Sequence, residues 1–498
     1  MRAPRPIQAL LSRIVAVLFA TIIAADAMAE LRVQVEPAWN GMLRAGHGTE
    51  VAVRLWDDRT RSLEVGLVAG RVTSSLVLDS VAGEATTAFM PLPAHDDADV
   101  RLYVQDTLTG NVLLRKTVDI PSSPRSLVAA SPPALMKSLG RLTESAEHSL
   151  VAAVPEKLPR TLQGYDAISL LLFDATALHR LDRQQLSALQ GHLSLCGRTV
   201  IANMPAAARP QLMLATGCGG AALSALENDT GVALAVGSLL SRPADGLVAA
   251  ATTDLAEQSN RIAREIVAGI AAYAVLLVIL IAVRPPNWIV PVSAVVVSLL
   301  AIGYGWQRPE VSSANVLLEM EAGTHVGHYT ATLRTEVPGR STVLIDMPAG
   351  AILNPPSGHA VTVAQTHQGQ RLRFPASLGP IRSLSFRGAV SLVPPIAMEP
   401  TAEGRVLRNT ASAPLPAGYA IDPEDGRVRR SPSLRPGQTF LLSSTSDETA
   451  DLPTALRRSY TGTNDFVMLL PLSTEIARES IGIPTARGWL AIRWKNAP

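Results

Sequence analysis

The chain has 498 residues, of which 47% are hydrophobic and 17% charged, and its net charge at neutral pH is +2. That length exceeds what one hydrophobic core can fill, so three or four domains are expected. The balanced charge excludes the broad basic field that nucleic acid requires, and aromatic residues at 4% leave little for stacking on bases.

The N-terminus reads as a secretory signal peptide over 1–29. Arg2, Arg5 and Arg13 form a basic segment, 14–25 is a short apolar stretch, and Ala27-Met28-Ala29 has the form of a cleavage site. Residues 30–122 alternate at period two around 31–35, 50–55, 100–104 and 112–118. Turn clusters at Trp56-Asp57-Asp58, Ala82-Gly83-Glu84 and Leu108-Thr109-Gly110-Asn111 separate these stretches. Short strands at this spacing, with no helical stretch between them, predict an immunoglobulin-like β-sandwich. Pro121 and Pro124 close it, because proline cannot join a central sheet.

From 124 to 250 the pattern changes. Continuous apolar stretches at 127–130, 150–154, 168–173 and 199–202 alternate with helical segments at 133–142 and 182–195. Leu186, Leu189 and Leu193 fall on one face of the second segment, and Asp182 stands where it would cap it. Strands that are apolar throughout and joined by helices predict a small α/β domain with a parallel sheet covered on both sides.

A polar helix over 254–264 then leads into two uncharged apolar runs, 266–283 and 288–306, separated by Arg284-Pro285-Pro286-Asn287. At about 1.5 Å per residue each run is about long enough to cross a bilayer core of roughly 30 Å. Together they predict a two-helix transmembrane hairpin. With the signal peptide, this gives a bacterial inner-membrane protein with two spans and both large regions periplasmic. Arg284 alone lies in the inner loop, whereas Arg261, Arg264 and Arg308 flank the outer ends. That distribution leans against the orientation, which the signal peptide decides. Beyond the hairpin, 310–498 reads as a C-terminal β-sandwich region, with strands around 315–321, 328–335, 341–346, 360–365, 384–388 and 406–409. The tail adds strands at 466–470 and 489–494 and a helical stretch at 453–459.

Three stretches carry a resemblance. Gly41-Met42-Leu43-Arg44-Ala45-Gly46, followed by Glu50-Val51-Ala52-Val53-Arg54-Leu55, lies in the sandwich. Leu158-Pro159-Arg160-Thr161-Leu162-Gln163-Gly164-Tyr165-Asp166-Ala167 precedes a strand of the α/β domain, and Cys196-Gly197-Arg198-Thr199-Val200-Ile201 follows its helix. In this order the chain resembles a group of bacterial envelope proteins. These join an immunoglobulin-like domain to a class I glutamine amidotransferase-like domain, membrane helices and further β-structure. They are often encoded near a MoxR-type AAA ATPase and a von Willebrand factor A-like protein. The resemblance covers most of 31–410, and it implies the architecture without bringing an activity.

An amidotransferase of that kind needs a cysteine on a sharp strand-to-helix turn, a histidine base and a carboxylate to orient it. Thr216-Gly217-Cys218-Gly219-Gly220 comes nearest, but the first glycine of the turn is missing and no histidine follows Cys218 before His325. No catalytic residue is therefore assigned. In an oxidising compartment Cys196 and Cys218, the two cysteines of the chain, predict one disulfide, contributing roughly 3 kcal/mol through the loop it closes. Asp174 ends the 168–173 strand, where α/β proteins place functional groups, and joins Cys218 as a candidate site residue. His95-Asp96-Asp97-Ala98-Asp99 reads as a solvated turn, and His325 with His328 lack a third ligand, so neither metal nor cofactor is expected. The expected function is that of an inner-membrane-anchored periplasmic binding or scaffold protein of the cell envelope. Its partners would be the lipid bilayer and envelope or membrane proteins, with no nucleic acid. The alternative is a cysteine-dependent amidase or hydrolase acting on envelope glycan or peptide amides through Cys218.

Overall fold

Alternation sends Val51, Val53 and Leu55 to one side of the strand Thr49–Trp56 and Glu50, Ala52 and Arg54 to the other, and this split organises the N-terminal half. The computed structural model describes residues 31–93, 99–139, 148–216, 222–228, 231–241 and, apart from short breaks, 311–494, with Val275 alone between 242 and 310. Thr49–Trp56 lies between Arg32–Pro37 and Ala85–Leu92 in a three-stranded antiparallel sheet. Its apolar side packs on a larger sheet, enclosing Val51, Val53, Leu55, Leu63, Val65 and Met90 in one buried cluster.

That larger sheet has seven strands drawn from two distant parts of the chain. Its order is Val343–Asp346, Gly369–Phe374, Val361–Thr366, Val72–Ser80, Arg61–Ala69, Asp99–Asp106 and Val112–Asp119. Val361–Thr366 runs parallel to Val72–Ser80, with Val361 opposite Val72 and Ala364 opposite Ser75. Its far end packs on an eight-stranded sheet, where Val361, Val363, Leu372 and Phe374 share a core with Val316, Leu318, Tyr329 and Phe386. The strand Ala486–Trp494 sits inside that eight-stranded sheet, parallel to Val311–Glu321 and antiparallel to Phe466–Pro471. The N-terminal and C-terminal β-regions, expected as separate sandwiches, thus share a sheet. In both regions a glycine makes room for a tyrosine ring on the facing strand: Gly66 opposite Tyr103, and Gly388 opposite Tyr329. A Cβ at either glycine would overlap the ring.

Between these β-regions in the chain lies a five-stranded parallel sheet. Across it run His148–Ala152, Ser126–Ser131, Ile168–Asp174, Thr199–Ala202 and Leu223–Ala225, the second, first, third, fourth and fifth in chain order. This is a doubly wound order, with its switch point between the first and third strands. One face packs Leu171, Phe173 and Ile201 against Leu189 and Leu193 of the helix Arg183–Ser194. The other packs Leu170, Leu172 and Val200 against Val232, Val236 and Leu239 of the helix Val232–Ser241.

Asp182 caps Arg183–Ser194 reciprocally, accepting from the Gln185 backbone N–H at 2.8 Å while Gln185 Oε1 accepts from the Asp182 N–H at 3.0 Å. Leu186 departs from expectation and is 40% exposed. Gln185 takes the inward place beside Ala188 and Leu189, because its amide donates to the carbonyls of Pro155, Glu156 and Leu158. The expected helix at 133–142 is shorter, a 3₁₀ turn Pro133–Leu135 followed by Met136–Leu139.

The membrane-anchored fold class is corrected. The structure is mostly β-sheet, 54% strand, with five helices among the described residues. None of them is long and apolar enough to cross a membrane. Arg183–Ser194, at 12 residues, rises about 18 Å against the roughly 30 Å of a bilayer core. The most apolar helix, Val232–Ser241, spends its apolar face on the parallel sheet. The runs 266–283 and 288–306 lie outside the described residues apart from Val275, as do the expected signal peptide and the 254–264 helix. No helix among the described residues supports the two-span hairpin or the inner-membrane localisation that rested on it.

Candidate functional site

In a doubly wound sheet the first place to look is the carboxyl edge at the switch point. Here Asp174 accepts from the Thr176 N–H at 2.9 Å and from the Thr176 hydroxyl at 2.8 Å, capping the 3₁₀ turn Ala175–Arg180. Its carboxylate is engaged in local structure. The neighbouring strand ends on Ser131, which is buried, and the next residues, Pro132 and Pro133, carry no amide donor, so this first turn forms no phosphate cradle. Asn203, with φ 56, ends the adjacent strand in the left-handed region that asparagine tolerates. Cys196 is disulfide-bonded. Its Sγ lies 3.5 Å from His328 Nε2, whereas His325 is exposed. Cys218 and residues 95–98 lie outside the described residues. Of the two candidate site residues, Asp174 is thus placed and Cys218 is not described, and among the described residues no three metal-ligating side chains converge.

What the chain does bring together is the seam between the N-terminal sandwich and the parallel sheet. After His148–Ala152 the chain crosses to Ile168–Asp174 through short 3₁₀ turns, Pro155–Lys157 and Leu162–Tyr165, instead of a helix. This crossing presses against the outer face of the three-stranded sheet. The Glu50 carboxylate accepts from the Arg160 N–H at 2.9 and 3.0 Å and from the Thr161 N–H at 2.6 Å. Burial nevertheless raises the Glu50 pKa, outweighing these amide bonds. Trp39 is inserted into the α/β core, its indole N–H donating to the Gly164 carbonyl at 2.7 Å and its ring meeting Tyr165 edge-on. Tyr165 in turn stacks on His192, with ring centroids 5.0 Å apart.

The C-terminal sandwich reaches the same seam. Asp166 is paired with Arg387 and accepts from the Gly48 N–H at 2.8 Å, with His47 Nδ1 at 3.7 Å. Burial alone would raise its pKa, but His47, Arg387 and the Gly48 amide together hold it below the usual carboxylate value. Gln163 Oε1 accepts from the Leu353 N–H at 3.1 Å. Two stretches that carry the resemblance, 50–55 and 158–167, are therefore in direct contact, and Gly197 of the third packs against the His192 ring.

Beside this seam lies a cleft of about 290 Å³. Its floor is the outer face of the three-stranded sheet, in cross-strand rows: Gln34, Arg54 and Thr87 in one, Glu36, Ala52 and Phe89 in the next. Small Ala52 leaves the depression. The wall is Glu156, Lys157 and Arg160, and the Arg160 guanidinium stacks 3.7 Å above the Phe89 ring. At one end Trp39, Asn40 and Gly41 occupy the left-handed region in succession, at φ 59, 58 and 80. For tryptophan that conformation costs about 1–2 kcal/mol, and the Trp39 contacts above hold it there.

None of these cleft residues drew attention as a site in the sequence. The available signal was the alternation at Glu50, Ala52 and Arg54, whose polar side reads as solvated until the distant Arg160–Thr161 amides are placed on it. No family model, characterised protein or solved structure matches the chain.

Proposed function

We propose that this is a binding or scaffold protein without a catalytic centre, and that its ligand site is the cleft between the three-stranded sheet and the 153–160 crossing. The observation that supports this reading is that the charged side chains lining the cleft are held by partners around an apolar floor. Lys157 pairs with Glu36 at 3.0 Å, Arg160 with Asp182 at 2.8 Å, and Glu156 with Arg180. Side chains already engaged in this way, with Arg160 also stacked on Phe89, have less rotamer freedom to lose when a ligand enters. A cysteine-dependent hydrolase would need a free thiol; Cys196 is bonded, and among the described residues there is no free cysteine.

The test is to fill the floor. Ala52→Phe places a ring in the depression beside Phe89 while leaving the inward side of the strand untouched. A diverse fragment library is screened by thermal shift on the full chain and on the variant. Fragments that stabilise the full chain are expected to lose their effect on Ala52→Phe. Equal stabilisation of both proteins by every active fragment would remove the cleft as the site.

A further inference from the structure

The charges around the cleft are unequally occupied. Its three lining acids are all engaged: Glu36 by Lys157, Glu156 by Arg180, and Glu50 by two backbone amides. Of its three lining bases, Lys157 and Arg160 face carboxylates, Glu36 and Asp182. Arg54 does not. It is exposed, its guanidinium lies 4.8 Å from the centre of the Trp56 ring, and no carboxylate pairs with it among the described residues. Arg160 uses its Nε on Asp182 and leaves both terminal nitrogens without a hydrogen bond among the described residues. The floor between them is apolar, formed by Ala52 and Phe89, with Pro37 and Ala38 at its end.

From this arrangement, and resting on the cleft being the ligand site, we infer that the ligand carries one carboxylate, taken by the Arg54 fork, and a short apolar body laid on Ala52 and Phe89. A planar guanidinium matches a carboxylate with two parallel hydrogen bonds. A phosphate dianion fits less well, because Glu36, Glu50 and Glu156 line the same space and repel a second negative charge. Size narrows the class further. A volume of about 290 Å³ lies at the small end of ligand pockets, which run from about 300 to 1,000 Å³. It admits one or two residues' worth of atoms. Either a free acylated amino acid or the carboxyl end of a peptide chain has this chemistry.

The experiment is calorimetric titration of the full chain with N-acetyl glycine, alanine, leucine and phenylalanine, each as the free acid and as the amide. A decapeptide ending in the best of these residues, with free or amidated terminus, follows. The acids are expected to bind about tenfold or more tightly than the amides, the difference an ionic hydrogen-bonded pair commonly makes. Arg54→Gln should bring the acids down to the level of the amides and leave the amides unchanged, with circular dichroism matching the parent. Tight binding of the free-ended decapeptide assigns the ligand to chain ends, and its exclusion assigns it to small acids. Acids and amides that bind equally would overturn the carboxylate assignment and leave the cleft standing. Absence of binding by every probe would overturn both.

Discussion

Lowering the pH should loosen the seam through His192. This side chain is 5% exposed, stacked on Tyr165, and its Nε2 has no hydrogen-bond partner. Burial is the largest influence on it, the neighbouring Arg387 adds to it and Asp166 opposes it. Together they bring the pKa from 6.5 down to about 4. The folded chain therefore takes up the proton less readily than the unfolded chain. Stability is complete above pH 6.5 and is lost as pH falls towards 4. At 1.36 kcal/mol per unit, the loss between pH 7 and pH 5 is about 2 kcal/mol, growing to about 3 kcal/mol at lower pH. His192→Phe keeps a ring on Tyr165 and removes the titration. Glu50 and Glu319, both raised mainly by burial, act with the opposite sign. Asp166, held low, acts only below its ordinary value of 3.8. All three remain in both proteins and cancel in the comparison. Urea unfolding followed by circular dichroism at pH 7 and pH 5 reads the difference. Wild type should lose about 2 kcal/mol more than the variant. Parallel pH dependence in the two proteins would refute the role given to His192.

Other perturbations test the seam and the sheets separately. Trp39→Ala removes a buried ring and the bond to Gly164, and should cost about 3–5 kcal/mol in the same urea assay. Asp166→Ala strips Arg387 and the Gly48 amide of their buried partner. It should cost about 3 kcal/mol, and the part of the acid unfolding below pH 3.8 that Asp166 supplies should disappear. Gly66→Val drives a side chain into the Tyr103 ring, which also hydrogen-bonds Glu64 at 3.1 Å. A loss of about 1–3 kcal/mol is expected by thermal unfolding, while Gly110→Ala, where φ is 72 and no side chain is crowded, should cost about 1–2 kcal/mol through the left-handed backbone alone.

Local pattern was readable wherever it sufficed to define an element. The period-two alternation placed strands at 50–55, 100–104 and 112–118, and each lies within an observed strand. The unbroken apolar runs at 127–130, 168–173 and 199–202 are strands of the parallel sheet, buried on both faces. Pairing across long separations was not readable. Nothing near Val72 or Val361 marks them as neighbours, since both sit in ordinary alternating stretches and the link between them is made of backbone hydrogen bonds. Leu186 misled for a related reason: Gln185 takes the inward place and leaves Leu186 outside, through bonds to carbonyls some thirty residues earlier. The cleft was hidden likewise. Glu50 and Arg54 have the spacing of solvent-facing residues, and only the crossing at 153–160 turns their face into a wall.

The joint seven-stranded sheet has a temporal consequence. During synthesis Val72–Ser80 emerges early, yet its neighbour Val361–Thr366 follows only after nearly three hundred more residues. At about 5–20 residues per second the exposed backbone waits some tens of seconds for its complement. Throughout that interval the nascent chain presents a sticky hydrogen-bonding rail to any other growing copy on the same messenger. Slow translation or crowded polysomes would therefore favour intermolecular strand exchange, and a chaperone that shields this rail would raise the yield of correctly closed molecules.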